Sequence, residues 1–464
     1  MGLDLVIRKG TVITASDSFR GDIGIADGKV AILGAELPPS EREIDATGLL
    51  VMPGGVDAHC HVDEPAYLGA ILADGFASAT RSAACGGTTT IVSFVNQLAG
   101  RSLREAVADY HSRADGKALI DYAFHIILSD ATAAVLGQEL PALIEDGYRS
   151  VKVFMTYPGY MLSDEKILDV MDIAAGHGGT VMVHAENGHC VHFLIQRLER
   201  EGRTSLAAFP HSAPAAVERE ATHRAITLAE IAGARVMLVH VSAAEAMAQI
   251  EWARDRGLPV MAETCPQYLI DAADRIQAPG WEAAKYICSP PPRGGDNAER
   301  LWTGVARGTF RLLSSDHCPY RFEGSDGKRS QGGEPHFRHV PPGVPGLETR
   351  LPLLYQEGVL RGRLSPQQFV ALTATNPART YGLYPRKGSL APGADADIAL
   401  WDANHTVTIR HADLHDDCDY TPYEGRQVGA WPVMTLSRGE TVWDRGRVSG
   451  APGRGQFLKQ AAHG

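Results

Sequence analysis

None of the seven cysteines forms a Cys-x-x-Cys pair, and they are odd in number and scattered from Cys60 to Cys418. That excludes a disulfide frame and a cysteine zinc site, and it fits the reduced thiols of a cytoplasmic protein. A basic block is also missing. Asp and Glu outnumber Lys and Arg by 55 to 44, a net charge of −11, which argues against nucleic acid or an anionic membrane as partner. No apolar run is long enough to span a bilayer. The start, "MGLDLVIRKG", lacks the charged head, apolar middle and small-residue cleavage site of a secretory leader, so none is expected. Internal repeats and low-complexity segments are absent too.

The 464 residues, 44% of them apolar, suffice for a large core and a smaller second domain. The first fifty read as short β-strands, "LDLVIRKGTVI" and "GDIGIADGKVAILG", with Asp27-Gly28 as a hairpin turn. From Val51 the pattern changes to short apolar runs alternating with amphipathic stretches. The runs are "LLVMPGGVD", "TTTIVSFV", "IDYAFHIIL", "SVKVFMTY", "TVMVHAE", "RVMLVHVS", "LPVMAETC" and "FRLLSSDH". Eight strands with intervening helices are the signature of a (β/α)8 barrel. The competing doubly wound sheet lacks its Gly-x-Gly-x-x-Gly turn. After Ala391 strands return, as "DADIALWDANHTVTI" and "PVMTLSRGETVWDRGRV". The expected organisation is therefore α/β: residues 1–52 and 391–447 form one small β-sandwich from both termini, and 53–390 form the barrel. The Gly-rich residues 448–464 form a tail, or an arm onto a neighbouring subunit.

The 18 histidines are more telling than the cysteines. In "GVDAHCHVDEP", Asp57, His59 and His61 share a face if the strand persists that far. Two imidazoles at a barrel's carboxyl end make a ready pair of metal ligands, and Asp57 could orient one of them. Surface histidines on a loop are an equally fair reading of that motif alone. Lys152 sits inside an apolar strand, where a bare ammonium is expensive, although a snorkelling side chain would explain it in isolation. His184, His240 and Asp316 end three further strands. Each has a bland explanation, but chance would scatter them over both ends of the barrel and its helices. Together they point to a metal centre. His125, His317 and Cys318 fit core packing or support, and Cys60 alternates away from its histidine neighbours as a small buried residue.

These residues, in this order, resemble the amidohydrolase superfamily, and within it the dihydropyrimidinase and D-hydantoinase group of cyclic amidases. The likeness covers nearly the whole chain and includes "PGGVDAHCHVD", "GGTTTIV", "VMVHAENG", "AETCPQYL", "CSPPPR", "SSDHCPY" and "TNPARTYGLYPRKGSLAPGADADIALWD". The resemblance implies two divalent metal ions per chain, zinc first, with Mn2+, Co2+, Ni2+ or Fe2+ as alternatives. His59 and His61 would bind the more buried ion with Asp316, and His184 and His240 the more exposed one. Lys152, carbamylated to N6-carboxylysine, would bridge them. A lysine in an apolar barrel has a depressed pKa, so its neutral amine can take up carbon dioxide.

The implied reaction opens a cyclic amide, in a small-molecule ureide, to an N-carbamoyl amino acid. Asp316 would act as general base and then acid, and Tyr157 would donate to the oxyanion. Ring recognition would use main-chain groups at Ser289 and at the position held here by Pro342, which keeps a carbonyl but has no N–H. The loop with Asp63 and Glu64, and Phe154, Tyr160 and Met161, would shape the pocket for the substituent outside the ring. Glu64-Pro65 leans toward an allantoinase pattern, and the segment "SFVNQ", where an aspartate is often found after the second strand, is also atypical of the group. Asp63 stands where dihydroorotases carry a carboxylate-binding arginine, and would repel that substrate. A non-catalytic scaffold relative would lack ligands, whereas all six positions are filled here. The resemblance also implies a homotetramer, with a homodimer as the alternative.

Overall fold

The structure is a computed structural model that describes residues 2–270 and 273–462. Eight parallel strands follow one another in chain order around a barrel: β1 (Gly55–Cys60), β2 (Thr88–Asn96), β3 (Asp121–Ile127), β4 (Ser150–Phe154), β5 (Thr180–His184), β6 (Val236–Leu238), β7 (Val260–Thr264) and β8 (Leu312–Leu313). Every residue of β2 and β3 is buried, which is why these segments read as continuous apolar runs rather than alternating ones. A parallel bridge from Cys60 to His317 closes the ring, and His61 N–H donates to the His317 carbonyl at 2.7 Å.

Helices pack outside by the usual periodicity. In Asp164–Gly176 the buried residues are Ile167, Val170, Met171 and Ala174, one face of a 3.6-residue turn, and Ser163 caps the start by accepting from Lys166 N.

The two chain ends meet in a nine-stranded sheet that forms the β-sandwich. Leu50–Pro53 pairs antiparallel with Ile398–Asp402, so N- and C-terminal strands share one ladder. Leu5–Ile13 divides the sheet: its first half pairs with Arg42–Asp45 and its second half with Leu50–Val51, on either side of an irregularity between Ile7 and Gly10. Between the layers lies a separate apolar core that includes Ile7, Ile23, Val51, Ile398 and Leu436. The Asp27-Gly28 turn forms as expected, with φ of 52° and 71°.

One expectation needs correction, and one gains detail. Several functional positions lie beyond the strands read for them: β8 stops at Leu313 and β6 at Leu238, because Asp316 (φ 51°) and His240 (φ 41°) adopt left-handed backbone that no strand accommodates. The described residues of the segment expected as a tail or an arm onto a neighbouring subunit lie against the chain's own barrel. Tyr122 and Leu458 exchange main-chain hydrogen bonds with the opposite segments, and Gln460 accepts from Arg149 N at 2.6 Å through its side chain. Phe457 packs among the rings of Tyr122, Phe124 and Tyr148. These contacts cover the amino-terminal ends of β3 and β4, opposite the mouth.

Candidate metal centre

The carboxyl ends of five strands converge on a cavity of about 110 Å³ whose wall includes His61, Lys152, Tyr157, His184, His240 and Asp316. His59 lies directly beneath, fully buried. Ring centroids are 5.5 Å apart for His59 and His61, 5.3 Å for His59 and His240, and 4.4 Å for His184 and His240. The ligating atoms of His59, His61 and Asp316 all lie within 4.8 Å of one another. All six side chains singled out from the sequence are thus brought together.

Three of the four imidazoles, two at the end of β1 and one at the end of β5, are each held by a carboxylate through one nitrogen. His59 Nδ1 donates to Glu263 Oε1, His61 Nδ1 to Glu64 Oε1 at 2.6 Å, and His184 Nε2 to Glu186 Oε2 at 2.7 Å. That leaves the second nitrogen of each free of these bonds, the arrangement by which a carboxylate orients a metal-binding histidine. Asp57 does not play that part. Its Oδ1 accepts from the main-chain N–H of His59 and Ser315, and its Oδ2 faces the buried guanidinium of Arg350 at 3.3 Å. Asp57 staples β1 to the end of β8, and Glu263, in the quoted "AETC" stretch, does the orienting.

The donor set fits divalent cations. His59 Nε2 and His240 Nδ1 are buried without a hydrogen-bond partner, an expensive state for ring nitrogens with nothing to bind. Asp316 Oδ1 lies 3.2 Å from His59 Nε2 and 3.5 Å from His61 Nε2. His59 and Asp316 approach outside hydrogen-bonding geometry, as groups aimed at a shared third atom would.

The electrostatics follow from burial and neighbours. Lys152, 1% exposed, has its Nζ 5.3 Å from the ring centroids of Phe94 and Phe154, and burial lowers its pKa to about 8. Burial pushes Glu263 up to about 8. Burial works against the His61 cation, yet Glu64 and Asp316 hold it up at about 9. For His59 and His240 burial wins, and both lie well below the ordinary range. Tyr157 is pushed well above its usual value by burial, so its hydroxyl keeps its proton. Tyr157 (φ 70°), His240 and Asp316 all carry left-handed backbone, and such strain clusters where surrounding structure holds functional groups in place.

The walls are less uniform. Ser289 and Pro342 both line the cavity, and Ser289 Oγ donates to Glu186 at 2.9 Å, leaving its main-chain groups for a ligand. Pro341 and Pro342 have no N–H, and that of Gly343 donates to the Ile287 carbonyl at 3.0 Å, so this segment can offer a ring only acceptors. Gly343 is required where it stands: at φ 157° an added Cβ would lie 2.7 Å from the Cys318 carbonyl. Phe154, Tyr160 and Glu64 line the cavity, whereas Asp63 and Met161 do not. Asp63 instead accepts from Phe76 N at the start of the helix Phe76–Cys85, so the argument from its charge against a carboxylate substrate falls. Met161 is 40% exposed. Asn96 Nδ2 donates to Tyr160 Oη at 2.9 Å and approaches Glu64 at 3.4 Å, linking His61's support to the aromatic wall.

A family model described as "Amidohydrolase family" matches residues 50–442. The chain is similar to a D-hydantoinase of Rhizobium radiobacter, 44% identical over 459 residues covering 99% of each chain. Among solved structures it is similar to a dihydropyrimidinase from Brevibacillus agri (40% identity, TM-score 0.96, 99% of both chains covered). It is also similar to an L-hydantoinase from Arthrobacter aurescens (29% identity, TM-score 0.88, covering 99% of this chain and 100% of that one).

The chain belongs to the amidohydrolase family, in its hydantoinase and dihydropyrimidinase group.

Two further histidines, His125 and His317, are engaged in hydrogen bonds within the fold. His125 bonds Ser150 Oγ and the Ala58 carbonyl, and His317 bonds Asp74 and the main chain at Gly346. Cys318 reaches the cavity wall, while Cys60 is buried away from it. The carboxylates of Glu263 and Glu186 were the functional groups not singled out from sequence. Their signal was a glutamate within or just after a buried strand, read there as part of a motif without a role.

Proposed function

We propose that this amidohydrolase hydrolyses the cyclic amide of hydantoins and dihydropyrimidines, giving N-carbamoyl amino acids. The observation that carries the reading is the convergence of His59, His61, Lys152, His184, His240 and Asp316 on one cavity. The full-length likeness to proteins named D-hydantoinase supplies the substrate class. Beyond the Glu64-Pro65 pair no observation favours allantoin, and none favours a non-catalytic role.

His59, His61 and Asp316 would hold one divalent ion, His184 and His240 a second, with zinc the first candidate, and carbamylated Lys152 would serve both. Such ions supply Lewis acidity and a water of lowered pKa. The lowered pKa of Lys152 leaves a neutral amine that adds to carbon dioxide and releases a proton, so the buried group ends as a carboxylate. Asp316 takes the proton of the attacking water and returns it to the departing ring nitrogen. Tyr157, kept protonated by burial, donates to the amide oxygen as charge develops there. Main-chain groups at Ser289 and the Pro342 carbonyl hold the ring, and Phe154 and Tyr160 meet its substituent. A homotetrameric, cytoplasmic enzyme completes the proposal; among the described residues no helix is long and apolar enough to cross a membrane.

The test is a panel of hydantoin, 5-substituted hydantoins, dihydrouracil and allantoin, assayed for ring-opened product with metal content measured in parallel. Turnover of the first three with about two ions per chain is expected. Turnover of allantoin alone sinks the assignment.

A further inference from the structure

A second cleft, of about 250 Å³, adjoins the catalytic cavity. Cys288 and Val344 line it, while their neighbours Ser289 and Gly343 line the catalytic cavity, so the two spaces back onto the same two segments of chain. Its most telling group is Gln267, in the short turn Pro266–Leu269 that follows β7. Gln267 is 4% exposed, and both Oε1 and Nε2 are buried without a hydrogen-bond partner. Buried polar atoms are nearly always paired, and a carboxamide unpaired at both ends calls for a partner that donates and accepts together. Two guanidiniums share the wall. Arg426 is partly engaged by Glu357 at 3.3 Å, and Arg275 makes no ion pair among the described residues. The lining carboxylate, Glu424, accepts from His411 N at 2.7 Å.

We propose that this cleft binds a small carboxylate bearing a terminal amide or ureido group. The –CO–NH2 of such a ligand would pair reciprocally with Gln267, and its carboxylate would meet the guanidiniums. The ring-opened N-carbamoyl amino acid has both groups, and its choice as the natural ligand rests on the proposed reaction. Occupancy bears on catalysis through a direct link: Tyr268, next to Gln267, donates to the Pro290 carbonyl at 3.0 Å, one residue from Ser289. Product in the cleft therefore inhibits by a route distinct from competition at the catalytic cavity.

The experiment is equilibrium dialysis of labelled N-carbamoylglycine against the holoenzyme, with product-inhibition kinetics on hydantoin. The wild type is expected to bind one more molecule per chain than Gln267→Leu, and mixed inhibition should become purely competitive in that variant at unchanged kcat/KM. Arg275→Ala, at an exposed position, should weaken the extra site several-fold and serves if Gln267→Leu fails to fold. Equal stoichiometry in wild type and variants, or competitive inhibition throughout, overturns the inference. If hydantoin is not turned over, the proposed reaction fails, and the dialysis difference still reports on the cleft.

Discussion

Lys387 and Lys152 are both 1% exposed in the same chain, yet their surroundings are opposite. Near the foot of the barrel, Lys387 Nζ sits 2.6 Å from Asp121, 2.8 Å from Asp397 and 3.0 Å from Asp395. Burial opposes its charge, but the three carboxylates overwhelm that cost and raise its pKa. At the mouth, Lys152 makes no ion pair among the described residues, and burial lowers it to about 8. A lysine meant to remain a cation is given carboxylates in contact. One packed among aromatic rings and imidazoles is kept available as an amine, which is what the proposed carbamylation of Lys152 requires. Lys328 is a third case: fully buried, its Nζ donates, among the described residues, to the carbonyls of Ile287 and Pro341 alone, and burial lowers it to about 8. It clamps together the two segments that carry Ser289 and Pro342.

The comparison breaks most sharply at Lys152. Lys152→Ala should lose its metal and reduce kcat/KM by roughly 10³-fold or more, with partial return on adding a small carboxylate such as acetate. Full metal content in the variant, measured by elemental analysis, would overturn the bridging role. Lys387→Met removes the cation shared by three buried aspartates, leaving Asp395 with Arg386 and Asp121 with Arg438, and should cost about 3–5 kcal/mol in urea unfolding, while the folded fraction keeps its kcat. A loss of turnover at unchanged stability would mean the two lysines are not divided as argued.

Glu263→Gln removes the carboxylate behind His59 and should weaken metal binding about 10- to 100-fold in competition with a chelator. Unchanged affinity would assign Glu263 to packing. The smallest effect is expected at Lys328→Met, with KM raised a few-fold and kcat nearly unchanged as the segments proposed to hold the ring loosen. The same variant tests the sign of the pH effect. Lys328 titrates near 8 in the folded chain and near 10.5 unfolded, so between those values the unfolded chain binds more protons and native stability rises with pH. The stability advantage of wild type over Lys328→Met should widen from pH 8 to 10.5, by at most about 3 kcal/mol. A gap that narrows contradicts the lowered value.

Much of this was legible in one dimension. Eight apolar runs separated by helices of 3.6-residue period implied the barrel, and polar residues at their carboxyl ends implied where its chemistry sits. His59, His61, Lys152, His184, His240 and Asp316 stood out because each is costly or unusual inside or just after a buried strand. Their supports did not stand out. His59 and Glu263 are 204 residues apart, and nothing in either local stretch names the other. Asp63 shows the reverse error: next to a catalytic motif in the chain, it turns away to serve a helix start.

Local patterning by itself determined the alternation of strands and helices, the composite sheet from both chain ends, and the identity of the six converging side chains. Periodicity and the cost of burying charge act residue by residue, so both can be read without a fold. Only the tertiary structure decided which carboxylate orients which imidazole, that Lys387 is paired and Lys152 is not, and that the tail lies on its own barrel. Those outcomes depend on distances between segments far apart in the chain, and such distances exist only once the barrel has closed.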